Sequence, residues 1–291
     1  MVEVSSIIYA TLLGLQIGFV FALIAIGLSI IFGLMEVVNF AHGSLFMLGA
    51  YVAYTVSVEF GSFWLAVIIA PVIVGLIGAV MEVTTIRPLY DRPPFHSILV
   101  TFGLVIAIQE GVKILWGTKQ KSLKIPSILQ ESVTAGAITF PLYRIFLLVA
   151  SIAVLGILWA IITQTDYGLL IRASTHDAEM VTALGINVGR LRTGVFVLGA
   201  GLAGIAGVFV AGSQAITPEM DAHIIIIAFA IVIIGGLGDL RGTVIGAVLV
   251  GLITSFAGLF APSLTDVFVF GLMVLVLLLK PEGLLGRENP T

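Results

Sequence analysis

Nine apolar stretches follow one another along this chain, at roughly 7–34, 40–58, 62–86, 96–116, 142–163, 191–213, 222–236, 242–260 and 264–280. A helix needs about 20 apolar residues to cross the hydrocarbon of a bilayer, so this spacing predicts a polytopic membrane protein. Inside hydrocarbon the backbone must satisfy its own polar groups, which leaves helices or a closed barrel. The runs lack the alternation of a barrel wall. The expectation is therefore an all-α transmembrane bundle of eight to nine spans, with strands unlikely. Stretch 222–236 is short and stretch 40–58 is broken by glycine at both ends, so either is expected to cross only partly, as a broken or re-entrant segment. Only 10% of the residues are charged, against about 25% in soluble chains. The deficit runs the whole length, so residues 1–291 are read as one transmembrane domain. The opening Met1-Val2-Glu3-Val4 carries no positive charge and the first apolar run is longer than a signal peptide's, so it is expected to remain as a membrane helix.

Lysine and arginine placement gives an orientation. Arg87, Arg92, Arg172, Arg190, Arg192, Arg241, Lys280 and Arg287 fall on one side, while Lys113, Lys119, Lys121, Lys124 and Arg144 flank a single loop on the other. The first group marks the cytoplasmic side, putting the N-terminus outside and the C-terminus in the cytoplasm. The sequence has no cysteine, hence no disulfide or thiolate ligand, and no basic run that suggests nucleic acid. This composition fits a prokaryotic cytoplasmic membrane.

Small residues recur at helical spacing. Gly199, Ala203, Gly207 and Ala211 form one row, Ala200, Gly204 and Gly212 its neighbour, Gly14, Gly18 and Ala22 another, and Gly242 with Gly246 a fourth. Lipid is as apolar as leucine, so helices in a bilayer associate through close backbone approach, which small residues permit. Tight packing within the bundle is the plain expectation.

Two polar stretches interrupt the apolar pattern. Glu36, Asn39 and His42 are three residues apart, on one helical face if that segment is continuous and in a turn between the first two spans if it is not. The second stretch is cytoplasmic, at about 165–190. There Ser174 and Asp177 are spaced as a capping box, and Gly185 suits the left-handed residue that ends a helix, with Ile186 packing back. Twenty-seven residues between two spans, with internal helix signals, suggest a docking element. Glu219 and Asp221 are read as solvated rim charges at the outer end of the seventh stretch, and the lysines of the 117–141 loop as solvated or as meeting an acidic partner.

Catalytic groupings are missing. No P-loop, Gly-x-Ser-x-Gly or His-Glu-x-x-His sequence occurs, and His42, His96, His176 and His223 form no metal spacing. No metal or cofactor site is expected in this chain, and enzyme is a poor reading.

The stretch Asn39-Phe40-Ala41-His42-Gly43-Ser44-Leu45-Phe46-Met47-Leu48-Gly49-Ala50-Tyr51 resembles the signature of the LivH-type permeases, membrane subunits of ATP-binding-cassette importers for branched-chain amino acids. Phe21-Ala22-Leu23-Ile24-Ala25-Ile26-Gly27-Leu28, followed by Ile31-Phe32-Gly33, is similar to the run that precedes it. Arg172, Ala173, Asp177, Leu184, Gly185, Ile186 and Asn187 fit the family's cytoplasmic pattern, and Leu202–Gly207 and Gly235–Gly238 fall at family positions. The resemblance implies that those seven residues form the coupling segment seated on an ATPase. It implies as partners a second homologous permease, two ATP-binding-cassette ATPases and an extracytoplasmic binding protein, with ATP and Mg on the partner subunits. It also implies internally related halves, and Met220-Asp221-Ala222-His223 faintly echoes Asn39-Phe40-Ala41-His42. Asn39, His42, Gly43 and Ser44 are the candidate substrate pathway, because a zwitterion in a dry passage needs both donors and acceptors. The competing reading is a secondary transporter or channel for a small polar solute such as urea or an amide. That class usually places ionisable residues deep in its spans; here only Glu82 and Glu110 come near.

Overall fold

Hydrocarbon offers peptide groups no partner but the chain itself, and the apolar stretches accordingly become helices. The computed structural model describes residues 4–90, 92–136 and 138–286; Arg287 and Met1-Val2-Glu3, used above for orientation and for the start of the chain, lie outside them. The first four helices are α1 (Val4–Met35), α2 (His42–Phe60), α3 (Phe63–Met81) and α4 (Pro94–Trp116). A hairpin, β1 (Ser132–Ala135) and β2 (Ile138–Pro141), leads into α5 (Leu142–Gln164). Two short helices, α6 (Asp166–His176) and α7 (Ala178–Ala183), precede α8 (Val188–Ala211), α9 (Met220–Gly235), α10 (Leu240–Phe260) and α11 (Thr265–Leu279). Eight helices, some extended by adjoining turns, are long and apolar enough to cross a membrane, and α9 is a shorter apolar helix. All nine predicted stretches are thus helical, and the described strands lie outside them, in the 117–141 connection.

The chain runs alternately between two ends of the bundle. At one end the hairpin meets the start of α1, where the Tyr9 and Phe140 rings lie 5.3 Å apart. At the other lie α6 and α7. The core is made by α1, α2, α8, α9 and α10, while α4 and α11 turn mostly exposed apolar side chains outward.

Small residues set the spacing of that core, as their periodicity predicts. A β-carbon on Gly27 would come 2.6 Å from the Gly199 carbonyl oxygen, joining α1 to α8. One on Gly49 would come 2.6 Å from the Gly204 Cα, joining α2 to α8. Along α1 the pairings continue from Gly14 against Leu252 of α10 to Gly33 against Gly238, just before α10 begins.

Glu36, Asn39 and His42 do not share a helical face. Helix α1 ends at Met35, Glu36 takes a left-handed φ of 53°, and α2 starts only at His42. Nor is the break a turn on the surface. His42 Nε2 lies 3.1 Å from the Ile24 carbonyl, and about 16 Å of α1 separates Ile24 from Met35 at the helical rise of about 1.5 Å per residue. Residues 36–41 therefore re-enter the bundle as irregular backbone, with Val37, Asn39 and Ala41 buried. Such backbone is tolerated at membrane depth only when protein covers it.

The 165–190 segment is helical, but the capping box is not as spaced. Ser174 is buried inside α6. Thr165 caps α6 by accepting from Gly168 N at 3.1 Å, and Asp177 caps α7 by accepting from Met180 N at 2.8 Å. Gly185 does end the turn, at φ 83°. The Gly185 and Ile186 N–H groups donate to Thr182 O (2.9 Å) and Val181 O (3.3 Å), which occupies carbonyls the helix would otherwise leave free.

Candidate translocation site and coupling segment

Helix α2 begins deep in the bundle because residues 36–41 carry it there, and its first turn presents the candidate pathway residues. Asn39, His42 and Ser44 are all fully buried. The Ile24 carbonyl can only accept, so His42 Nε2 carries the ring proton; in the neutral ring Nδ1 is left as an acceptor. That Nδ1, and both the oxygen and nitrogen of the Asn39 amide, are buried without a hydrogen-bond partner among the described residues. Buried polar atoms are almost always paired, so three unpaired atoms on one short stretch stand out.

Gly43 lets α9 approach. A β-carbon there would sit 2.6 Å from the Asp221 carbonyl oxygen. Next to it, Ser44 Oγ donates to Asp221 Oδ2 at 2.8 Å, and Gln109 Nε2 of α4 donates to Oδ1 at 2.7 Å. Asp221 is thus no solvated rim charge: it is 1% exposed and ties α2, α4 and α9 together. Its depth follows from Gln109, which lies about 10 Å along α4 from the Trp116 end. The faint echo between 39–42 and 220–223 coincides with a real meeting of the first turns of α2 and α9. Toward the hairpin end, a cavity of about 390 Å³ adjoins this cluster, lined by Gln16, Phe46, Arg144, Gln214, Met220 and His223 among others.

A second buried acid lies toward the α6–α7 end. Glu82 is fully buried where α3 passes into a π-turn (Glu82–Ile86). It accepts from Arg87 Nε (3.1 Å) and Nη2 (2.9 Å), Tyr90 Oη (2.7 Å) and Thr193 Oγ1 of α8 (2.9 Å). Burial first, and then the bond to Glu82, push the Tyr90 phenol well above its usual range. The Arg192 guanidinium stacks over the Tyr90 ring at 4.6 Å. This cluster fastens α8, the helix that follows α6 and α7, to the α3–α4 connection. Of the two acids that the sequence places nearest to depth, Glu82 is buried and Glu110 is 60% exposed beside Lys113; the partners of Glu82, spread from 87 to 193, were not foreseen.

The seven candidate coupling residues gather at the far end of the bundle, apart from the candidate pathway residues. Arg172 donates to the Ile162 carbonyl at the end of α5. The Ala173 carbonyl accepts from Asp177 N at 3.0 Å, and Asn187 caps α8 by accepting from Arg190 N at 3.0 Å. Leu184 is 73% exposed and Met180 58% exposed, two apolar side chains beside the left-handed Gly185. Among the described residues no group of three or more His, Cys, Asp or Glu is placed to hold a metal ion.

The whole chain has known counterparts. It is 32% identical over 293 residues to the high-affinity branched-chain amino acid transport system permease protein BraD of Pseudomonas aeruginosa, covering 95% of this chain and 94% of the relative. It is 30% identical to the permease protein LivH of Salmonella typhimurium, at the same coverage. Its fold matches a chain of the structure titled PsaBC from Streptococcus pneumoniae in complex with Fab, with a TM-score of 0.50 and 12% identity over 93% of this chain and 91% of that one. Residues 10–277 match the family described as branched-chain amino acid transport system, permease component, and the chain belongs to that family of membrane-spanning permeases.

Proposed function

We propose that this chain is one of two permease halves of an ATP-driven importer that carries branched-chain or related amino acids into a prokaryotic cell. The observation that carries the reading is the α6–Gly185 segment, where Met180 and Leu184 lie exposed at the tip of a capped helix pair. Such a knob fits a groove on an ATPase partner. The chain has no P-loop of its own, so ATP and Mg act on two partner ATPases and this subunit performs no hydrolysis. The α6–α7 end then faces the cytoplasm, which places the start of α1 and the β1–β2 hairpin outside, where a binding protein delivers substrate. ATP shifts the permease pair between outward and inward states only if its affinity for the two differs, and the Glu82 cluster supplies a stiff link from the coupling segment through α8 to α3.

The deep polar residues support an amino acid as cargo. Asn39 offers a donor and an acceptor and His42 Nδ1 an acceptor, and the cavity nearby is lined both by apolar side chains such as Phe46 and Ile224 and by polar ones such as Gln16, Arg144 and Asp266. The test is a mild-detergent pull-down followed by reconstitution. Recovery of a second permease and P-loop ATPases, with leucine uptake that requires ATP, is the expected result. Uptake by this chain alone without ATP would replace the reading with a secondary transporter.

A further inference from the structure

One cavity brings together opposite charges that the fold leaves unpaired. It is the space of about 390 Å³ toward the hairpin end, within the range of about 300–1,000 Å³ that small-molecule sites take. Arg144 lines it, half-buried, from the first turn of α5. A cation at a helix N-terminus sits at the unfavourable end of the helix dipole, and among the described residues Arg144 has no ion pair. Asp266 lines the same cavity from the first turn of α11, where the dipole favours its charge. It is exposed and also has no ion pair among the described residues. Gln16 of α1 is only 6% exposed, and its amide, on the cavity wall, has no hydrogen-bond partner among the described residues. A buried amide is almost always paired, so Gln16 leaves room for a polar ligand.

The lining is graded. Arg144 and Asp266 sit at the hairpin ends of their helices, with Gln214 and His223 adding hydrogen-bonding groups. Val20, by contrast, lies about 24 Å along α1 from Val4, and it is buried together with Phe46, Ile227 and Val269 on the same wall. A ligand matching this gradient carries one positive and one negative group at one end and an apolar body at the other. A free amino acid with a large aliphatic side chain has that form. We infer that this cavity is a binding site for the transported amino acid, in which Arg144 takes the carboxylate, Asp266 the ammonium, and the apolar wall the side chain. The Gln16 amide, donor and acceptor at once, serves either charged group. The inference rests on the amino acid importer reading and adds to it the residues that hold the substrate and the reason its side chain is apolar.

The test uses the complete transporter in lipid nanodiscs, without binding protein or nucleotide, and measures bound radiolabelled leucine. Two competitors each keep half of leucine's polar end: isoamylamine has the amine alone, 4-methylvalerate the carboxylate alone. Arg144→Gln should lower leucine affinity by about tenfold or more, the scale of one lost charged contact. It should weaken 4-methylvalerate alike and leave isoamylamine as in the wild type. Asp266→Asn should lower leucine affinity as much but weaken isoamylamine and spare 4-methylvalerate. Equal losses for all three compounds in either variant, or unchanged leucine binding in either, overturn the inference. Should a variant fail to assemble, Ser213→Cys replaces it, an exposed residue of the cavity lining in a subunit without cysteine. Bound leucine should slow its alkylation by N-ethylmaleimide, and no slowing overturns the inference. The same complex in liposomes, with binding protein and ATP, separates the two readings. Leucine uptake by a wild type whose nanodisc form binds no leucine overturns the inference alone, and a complex that transports no amino acid overturns both.

Discussion

Ser44 in the first turn of α2 donates to the carboxylate of Asp221 in the first turn of α9 at 2.8 Å, across 177 residues of sequence. The bond sits where irregular backbone carries a helix start into the bundle, so its loss should be felt both in stability and in transport. Ser44→Ala removes one of two donors to a buried carboxylate, at a cost of about 1.5–3 kcal/mol. A lower melting temperature of the purified transporter, together with reduced uptake, is the expected outcome; an unchanged melting curve would contradict it.

Replacing Asn39 and His42 together by alanine should abolish uptake, while the lost His42 bond to the Ile24 carbonyl lowers the melting temperature without preventing assembly. Neither the Asn39 amide nor His42 Nδ1 has a protein partner among the described residues, so those atoms contribute little to holding the fold. Normal elution on size exclusion with wild-type uptake would remove both from the pathway.

The close helix contacts predict a contrast between glycines. Gly49→Ala places a β-carbon 2.6 Å from the Gly204 Cα, and overpacking of this kind costs about 1–3 kcal/mol. Gly103→Ala and Gly258→Ala meet nothing within 4 Å, and both gain helix propensity, about 0.5–1 kcal/mol each. Thermal melts of the three variants should separate in opposite directions.

At the Glu82 cluster the two partners of the ion pair should differ. Arg87 is 40% exposed and Glu82 fully buried, so Arg87→Ala leaves a buried carboxylate without its cation, whereas Glu82→Gln leaves a cation that water can reach. Arg87→Ala should therefore be the more damaging, by up to about 3 kcal/mol. The Tyr90 phenol, raised by burial and by Glu82, adds a pH signature. Its contribution is full below the ordinary tyrosine pKa of about 10 and is lost progressively as pH rises from there through the higher folded value. Tyr90→Phe should remove that alkaline loss; melting temperatures taken from neutral to alkaline pH read it.

Gly185 adopts φ 83° with open space around it. A valine there meets backbone strain of about 1–2 kcal/mol but no steric clash, so the damage should stay within the turn beside Leu184. ATP hydrolysis should continue while uptake falls, with the bundle melting nearly as before. Equal uptake by Gly185→Val and wild type would argue against a coupling role.

The helices were legible because each satisfies one local rule, an apolar run of sufficient length, and the Gly185 turn because a glycine ended a helical pattern. The re-entry at 36–41 was not. Hydropathy sees a short polar gap and cannot tell a surface turn from a length of backbone threaded back beside Ile24, since the difference lies in what α4 and α9 later place around it. Asp221 misled for a related reason: beside Glu219, at the start of a short helix, it has the local look of a solvated rim. Its burial is decided by Ser44 and Gln109, far away in sequence. Glu82 declared itself by depth, but Thr193 and Tyr90 carry no sign of belonging to it.

The threaded segment at 36–41 also bears on biogenesis. Helix α1 can leave the insertion machinery as soon as it is made, but the irregular backbone behind it has no acceptable place in lipid, and α9, whose Phe229 packs against Phe40, is synthesised much later. The α1–α2 pair must therefore wait, shielded by the translocon or a membrane chaperone, until residues beyond Asp221 have emerged. A nascent chain arrested before α9 should remain crosslinked to that machinery at 36–41, long after its first span has been integrated.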